Sequence, residues 1–116
     1  MSYKMDFISI KSDKGSIIDS VTLANKTLSR LKGLLGKKGL TMQQGLLICP
    51  CNSVHTVGMK FDIDVIFLNK QNQVIKIKPS VKPTRMVSCF RSKKVLELAS
   101  GSAQYNNISI GDSLSW

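Results

Sequence analysis

Residues 45–68 read GLLICPCNSVHTVGMKFDIDVIFL, and this stretch decides the fold. Two strand-like runs, at 45–49 and 62–69, enclose a polar loop. Cys49 ends the first run, and the loop holds Cys51 and the only histidine. In the second run, the apolar residues at 63, 65 and 67 fall on one face of a strand and those at 66 and 68 on the other. Apolar residues on both faces indicate a central strand that is covered by protein on either side.

Short apolar alternations outside this stretch predict further strands, and turn residues separate them. Pro79 and Pro83 are expected to interrupt strand pairing and to mark a loop. Leucines at spacings of three and four predict one short helix near residues 26–36. The predicted fold is therefore mainly β, a compact small barrel or sandwich of about seven or eight short strands. The strands are expected at 7–11, 17–23, 45–49, 62–69, 74–78, 87–90 and 95–98, with 114–116 closing the sheet.

Length and composition predict a single domain over residues 1–116. The chain has 116 residues, of which 42% are hydrophobic and 21% charged, as in ordinary globular proteins. The N-terminus lacks a continuous apolar segment, and no apolar run approaches the roughly 20 residues that a membrane span needs. We therefore expect a soluble, cytoplasmic protein whose three cysteines are free thiols.

The chain is strongly basic, with 17 Lys and Arg against 7 Asp and Glu and a net charge of +10. Each half of the chain nets +5. Such a field attracts anions and acidic partners. Only three of the cations are arginine, and aromatic residues make up 6% of the chain, so the composition disfavours nucleic-acid binding without excluding it.

Cys51 and His55 are the sharpest catalytic candidates, because a nearby base turns a thiol into a nucleophile. Asp64 or Asn52 would orient the histidine. In an extended strand Cys51 and His55 would lie roughly 13 Å apart, and only a turn would bring them together. The alternative, which we favour because cysteine is often buried without being reactive, is that Cys51 is a small buried hydrophobe and His55 a hydrogen-bonded loop residue.

Metal binding is not expected, because the Cys-x-Cys spacing is too tight and Cys89 is remote from it. Asp62 and Asp64 share a strand face, where paired carboxylates suit acid–base work or a cation. A buried Asp64 would more simply pair with Arg30 or Arg85, or accept backbone amides of a loop.

Several motifs together resemble the family called domain of unknown function 192. They are RLKGLLG at 30–36, GLL at 45–47, CNSVHT at 51–56 and GMKFDIDVIFL at 58–68, followed by PTR at 83–85, VLEL at 95–98, Gly101 and GDSL at 111–114. The resemblance covers residues 15–114. It implies a compact, mainly β domain, with no established activity, cofactor or substrate. The chain departs from the family pattern at Ala99-Ser100 and at Val57.

The sequence favours a non-catalytic binding module over an enzyme. Its predicted cleft lies around the 49–61 loop and takes an unknown protein or a small anionic ligand, with no cofactor. A thiol-dependent enzyme with Cys51 as nucleophile and His55 as base, and nucleic-acid binding through the basic surface, remain alternatives. The predicted binding residues are Arg30, Ser53, His55, Thr56, Asp64 and Arg85.

Overall fold

The computed structural model describes residues 6–24 and 39–116, with side chains from residue 7 to 23 and from 39 onward. The helix predicted at 26–36, and with it Arg30, lies outside the described residues. The elements are β1 (Asp6–Ser12), β2 (Ile17–Ala24), β3 (Gln44–Ile48), β4 (Ser53–His55), β5 (Ile63–Leu68), β6 (Val74–Val81), β7 (Met86–Ser88), β8 (Lys94–Ala99), α1 (Ser102–Tyr105) and β9 (Leu114–Ser115).

Seven strands form one sheet in the order β6-β5-β8-β3-β2-β1-β9, which curls into a half-barrel. Its pairs are antiparallel except β2 with β3, which run parallel. A second sheet contains only β4 and β7, paired antiparallel. The prediction of a mainly β fold, with a small barrel-like sheet, is confirmed.

Strand β5 is buried along its whole length, as its apolar residues on both faces predict. Its odd-numbered apolar residues join the cluster beneath the small sheet, and its even-numbered ones join the cluster on the opposite face. Alternation along a strand sends successive side chains to opposite faces, so one strand supplies both cores. The cluster beneath the small sheet contains Leu46, Ile48, Cys51, Val54, Met59, Ile63, Val65, Phe67, Val81 and Val95.

Three elements differ from the predictions. Strand β6 continues through Pro79 to Val81, because it is an edge strand of the large sheet, and its register shifts between the pairs Ile63–Val81 and Val65–Lys78. Proline is tolerated at an edge or a bulge, since the missing N–H is not needed there. Residues 53–55, expected within a loop, form β4. Helix α1 was not predicted, because a four-residue helix shows no apolar periodicity.

Gly45 lets β3 and β8 pack closely. A Cβ added there would lie 2.6 Å from Cδ2 of Leu98 and 2.9 Å from the backbone oxygen of Glu97. Since the second of these atoms belongs to the backbone of the paired strand, it cannot move without disturbing the sheet.

We predict that Gly45→Ala lowers the free energy of unfolding by about 1–3 kcal/mol, the usual cost of overpacking a core. Gly39→Ala is the matched control, because a Cβ at Gly39 meets nothing within 4 Å. Urea denaturation of the three proteins checks this prediction. Equal midpoints for the two variants would show that the approach of β3 to β8 is not tight.

Candidate functional site

The small sheet is tied to the large one at the turn that follows β7. The N–H of Cys51 donates to the carbonyl of Lys93 (2.9 Å), and the N–H of Cys89 donates to the carbonyl of Asn52 (2.9 Å). Val54, Val87 and Cys89 turn inward onto the cluster beneath the small sheet. The turn at residues 89–93 is thereby held on both sides, and its tip projects from the surface.

Thr56 joins the loop after β4 to the loop before β7 and is 0% exposed. Its hydroxyl donates to the carbonyl of Lys82 (2.7 Å) and accepts the N–H of Arg85 (2.8 Å). Its own N–H donates to the carbonyl of Arg85 (2.8 Å), and its carbonyl accepts the N–H of Thr84 (3.1 Å). The described structure therefore brings two predicted binding residues, Thr56 and Arg85, together through backbone groups.

Asp64 lies on β5 at 1% exposure, and both of its carboxylate oxygens accept backbone amides. Oδ1 accepts the N–H of Ser80 (2.9 Å), and Oδ2 accepts the N–H of Ala103 in α1 (2.9 Å). Of the two partners that the sequence left open, an arginine or loop amides, the amides are the ones observed. A buried carboxylate needs such donors, because burial without them costs several kcal/mol.

Cys51 and His55 point in different directions. Cys51 is 5% exposed and packs with Val54, and its thiol lies 3.2 Å from the carbonyl of Ser53. His55 follows Val54 on an extended strand, so its side chain leaves the opposite face. Nδ1 of His55 is shielded from solvent and has no hydrogen-bond partner among the described residues.

The remaining predicted binding residues lie at the rim of the small sheet. Ser53 is half-buried and pairs with Ser88 across the β4–β7 ladder. Arg85 is exposed, and its guanidinium donates to the carbonyl of Thr84 (3.2 Å) in its own loop. No observation tests a ligand role for Ser53, His55, Thr56, Asp64 or Arg85, so these roles stay predictions.

A cleft of about 380 Å³ opens beside the turn that follows β7. Phe90 is 83% exposed, and the guanidinium carbon of Arg91 lies 5.8 Å from its ring centroid. Lys76 reaches the cleft from β6, and its ammonium donates to the carbonyl of Ser88 (3.0 Å). The cleft therefore combines an exposed ring with two cations, and its lining is Asn52, Lys76, Ser88, Cys89, Phe90 and Arg91.

The distribution of charged residues in the sequence points to this cleft, but the net charge of each half of the chain does not show it. Between Asp64 and Glu97 the chain holds no acidic residue. The same stretch contains eight cations, Lys70, Lys76, Lys78, Lys82, Arg85, Arg91, Lys93 and Lys94. Strand β6, strand β7 and the turn after β7 all come from it, so the positive charge is concentrated around the cleft.

Within residues 6–24 and 39–116, no three side chains among His, Cys, Asp and Glu are grouped so as to hold a metal ion. No helix in those ranges has the length and apolarity to cross a membrane. All three cysteines are free thiols, as the sequence predicts.

The sequence matches a family model over residues 8–116, and the family is DUF192, described as "Uncharacterized ACR". The chain belongs to the DUF192 family. The resemblance drawn from the motifs at 30–36, 45–68 and 83–114 is thus confirmed. Among curated proteins, none matches the chain.

Two solved structures share the DUF192 fold of this chain. One is a protein of unknown function from Novosphingobium aromaticivorans DSM 12444, with a TM-score of 0.81 and 20% identity over 97% of this chain and 85% of the other. The second, from Sinorhizobium meliloti 1021, is called a "putative transcription regulator" and has a TM-score of 0.81 and 20% identity over 99% and 95%. At this identity the likeness shows the fold alone.

Thiol labelling tests the arrangement of Cys51 directly. We predict that iodoacetamide modifies Cys89 and Cys49, which are half-buried, about tenfold or more faster than Cys51, because labelling of a buried thiol waits for local opening. Peptide mapping by mass spectrometry at several times gives the three rates on one sample. Labelling of Cys51 as fast as that of Cys89 would mean an accessible nucleophile and would favour the thiol enzyme.

Proposed function

We propose that this domain is a non-catalytic binding module whose cleft, between the 49–61 loop and the turn after β7, takes an anionic partner. The observation that carries the proposal is the cleft itself, which is lined by Lys76, Arg91 and the exposed ring of Phe90. A cation pair beside an apolar surface suits a ligand with a carboxylate or phosphate next to an apolar group. Arg91 is the stronger anchor, since a guanidinium binds such anions bidentately.

The chemistry of the lining supports binding rather than catalysis. The side chains that line the cleft provide one thiol, one ammonium and one guanidinium, without a carboxylate or imidazole to act as a base. A thiol-dependent enzyme built on Cys51 has less support, because that thiol is directed to the Ser53 carbonyl within the core. One wall of the cleft is the predicted 49–61 loop, which contributes Asn52. The second wall includes Arg91.

Nucleic-acid binding is a second candidate. It is favoured by the acid-free basic stretch from 65 to 96 and by the name that the Sinorhizobium meliloti neighbour carries. It is disfavoured by the cleft's single aromatic side chain, Phe90, since single-stranded nucleic acids are held by stacking on several rings.

Phenyl phosphate is a probe that presents a ring beside an anion. We predict that it binds with a Kd on the order of 1 mM, a normal strength for so small a ligand. In ¹⁵N NMR titrations it should shift the amides of Ser88, Cys89, Phe90 and Arg91. Phenol, which lacks the anion, should shift them little.

The matched variants are Arg91→Ala and Lys11→Ala, which remove one exposed cation each, at the cleft and on β1. Arg91→Ala should weaken phenyl phosphate by about tenfold, the usual value of a charge-assisted hydrogen bond, and Lys11→Ala should not. Equal losses in both variants, or no shifts near the cleft, would overturn the proposed function.

A further inference from the structure

Within residues 6–24 and 39–116, strand β7 has a backbone edge with which no other strand pairs. The hydrogen-bonded pairs at the two ends of the β4–β7 ladder are Thr56 with Arg85 and Asn52 with Cys89. In an antiparallel ladder such pairs alternate with pairs whose backbone groups point outward. The register therefore makes Met86 and Ser88 the residues whose N–H and C=O groups point away from β4.

Only one of these outward groups has a partner in the described part of the chain. The carbonyl of Ser88 accepts the ammonium of Lys76 at 3.0 Å. In that same part, β7 pairs with no strand except β4, and the N–H and C=O of Met86 and the N–H of Ser88 have no other bond. A sheet edge of this kind is a ready template for another extended chain.

Side chains along this edge point alternately inward and outward, as they do on strands that recognise a peptide. Val87 and Cys89 turn inward, whereas Met86, Ser88 and Phe90 turn outward. Met86 on β7 is 74% exposed and Phe90 in the turn after it is 83% exposed, so a large apolar side chain lies at each end of this edge. An added strand meets such neighbours with alternate side chains.

The positive charge around the β7 edge indicates an acidic partner. Lys76 and Arg91 line the cleft along this edge, Arg85 adjoins Met86, and the surrounding stretch from 65 to 96 has no acidic residue. We propose that β7 docks an acidic, extended peptide that adds to its free edge as a third strand of the small sheet. The inference rests on the proposed function and specifies its anionic partner, whose side-chain carboxylates meet Lys76 and Arg91.

The same contacts explain how the edge is kept from unwanted pairing. In the free protein the ammonium of Lys76 donates a hydrogen bond to the carbonyl of Ser88. A lysine at a sheet edge discourages pairing with the edge of another chain. An incoming peptide N–H replaces it on that carbonyl, and the released ammonium pairs with a peptide carboxylate. A second copy of this chain would instead bring two basic stretches together, which like charges oppose.

The test uses the peptide acetyl-Glu-Val-Glu-Phe-Glu-Val-Glu-amide and two forms of it that are N-methylated at alternate residues, in opposite phases. Methylation removes the N–H groups from one edge of an extended peptide and leaves the other edge intact. One form is methylated at its second, fourth and sixth residues and the other at its third, fifth and seventh, so the two have equal charge and composition. Strand addition predicts that one phase weakens binding by about tenfold or more and that the other has a much smaller effect.

Binding is measured by isothermal titration, and the site by hydrogen exchange of the protein amides. We expect the parent peptide to slow hydrogen exchange at the amides of Met86 and Ser88. Arg91→Ala should weaken binding of this peptide more than Lys11→Ala does. The lysine counterpart, acetyl-Lys-Val-Lys-Phe-Lys-Val-Lys-amide, should not bind. Equal effects of the two methylation phases, or no protection on β7, would overturn strand addition.

Two outcomes separate this inference from the proposed function. If phenyl phosphate binds at the cleft and the parent peptide does not, the inference fails and the binding module stands. If neither binds, both fail. A fifteen-residue oligothymidylate is the nucleic-acid arm, and tighter binding of it than of the parent peptide at the same salt concentration would overturn the peptide as partner.

Discussion

The buried carboxylate of Asp64 is the interaction on which the architecture depends. It lies on β5, the second strand of the sheet, and its two oxygens hold the edge strand β6 through Ser80 and helix α1 through Ala103. A charge at this depth is tolerated only while both donors stay in place, so the carboxylate fixes three elements relative to one another. With β6 and β8 paired on either side of it and a core on each face, β5 has no freedom to shift.

The proposed binding surface lies outside this frame. Thr56 fastens the loops at one end of the small sheet, the bonds of Cys51 and Cys89 fasten the other end, and Val54 and Val87 anchor it from below. Phe90, Arg91 and the edge of β7 that no strand pairs with among the described residues face outward. Because the small sheet is held from below, little conformational entropy is lost when a partner binds at the outer edge of β7.

The sequence predicted most of the fold and little of the site. Periodicity located β5 and its two faces because burial alone determines that pattern, and the motifs of residues 45–68 identified the family. Continuation of β6 through Pro79 and the formation of α1 depend on long-range pairing and on the Asp64 carboxylate, which no local pattern records. Reactive residue types drew attention to Cys51 and His55, whereas the cleft is made of ordinary surface residues such as Lys76 and Phe90. These residues come close together only because the small sheet of β4 and β7 lies beside β6.

The central claim is that residues 45–68 build the frame and that the turn after β7 carries the function. Its most direct test is the free energy of unfolding of Asp64→Asn, measured together with phenyl phosphate affinity. The comparison is Asp62→Asn, whose carboxylate makes a partly exposed ion pair with Lys82 (3.6 Å). The account predicts a loss of about 2–3 kcal/mol for Asp64→Asn and less than about 1 kcal/mol for Asp62→Asn, with wild-type affinity in the folded fraction of both. A stable Asp64→Asn protein that no longer binds phenyl phosphate would contradict it.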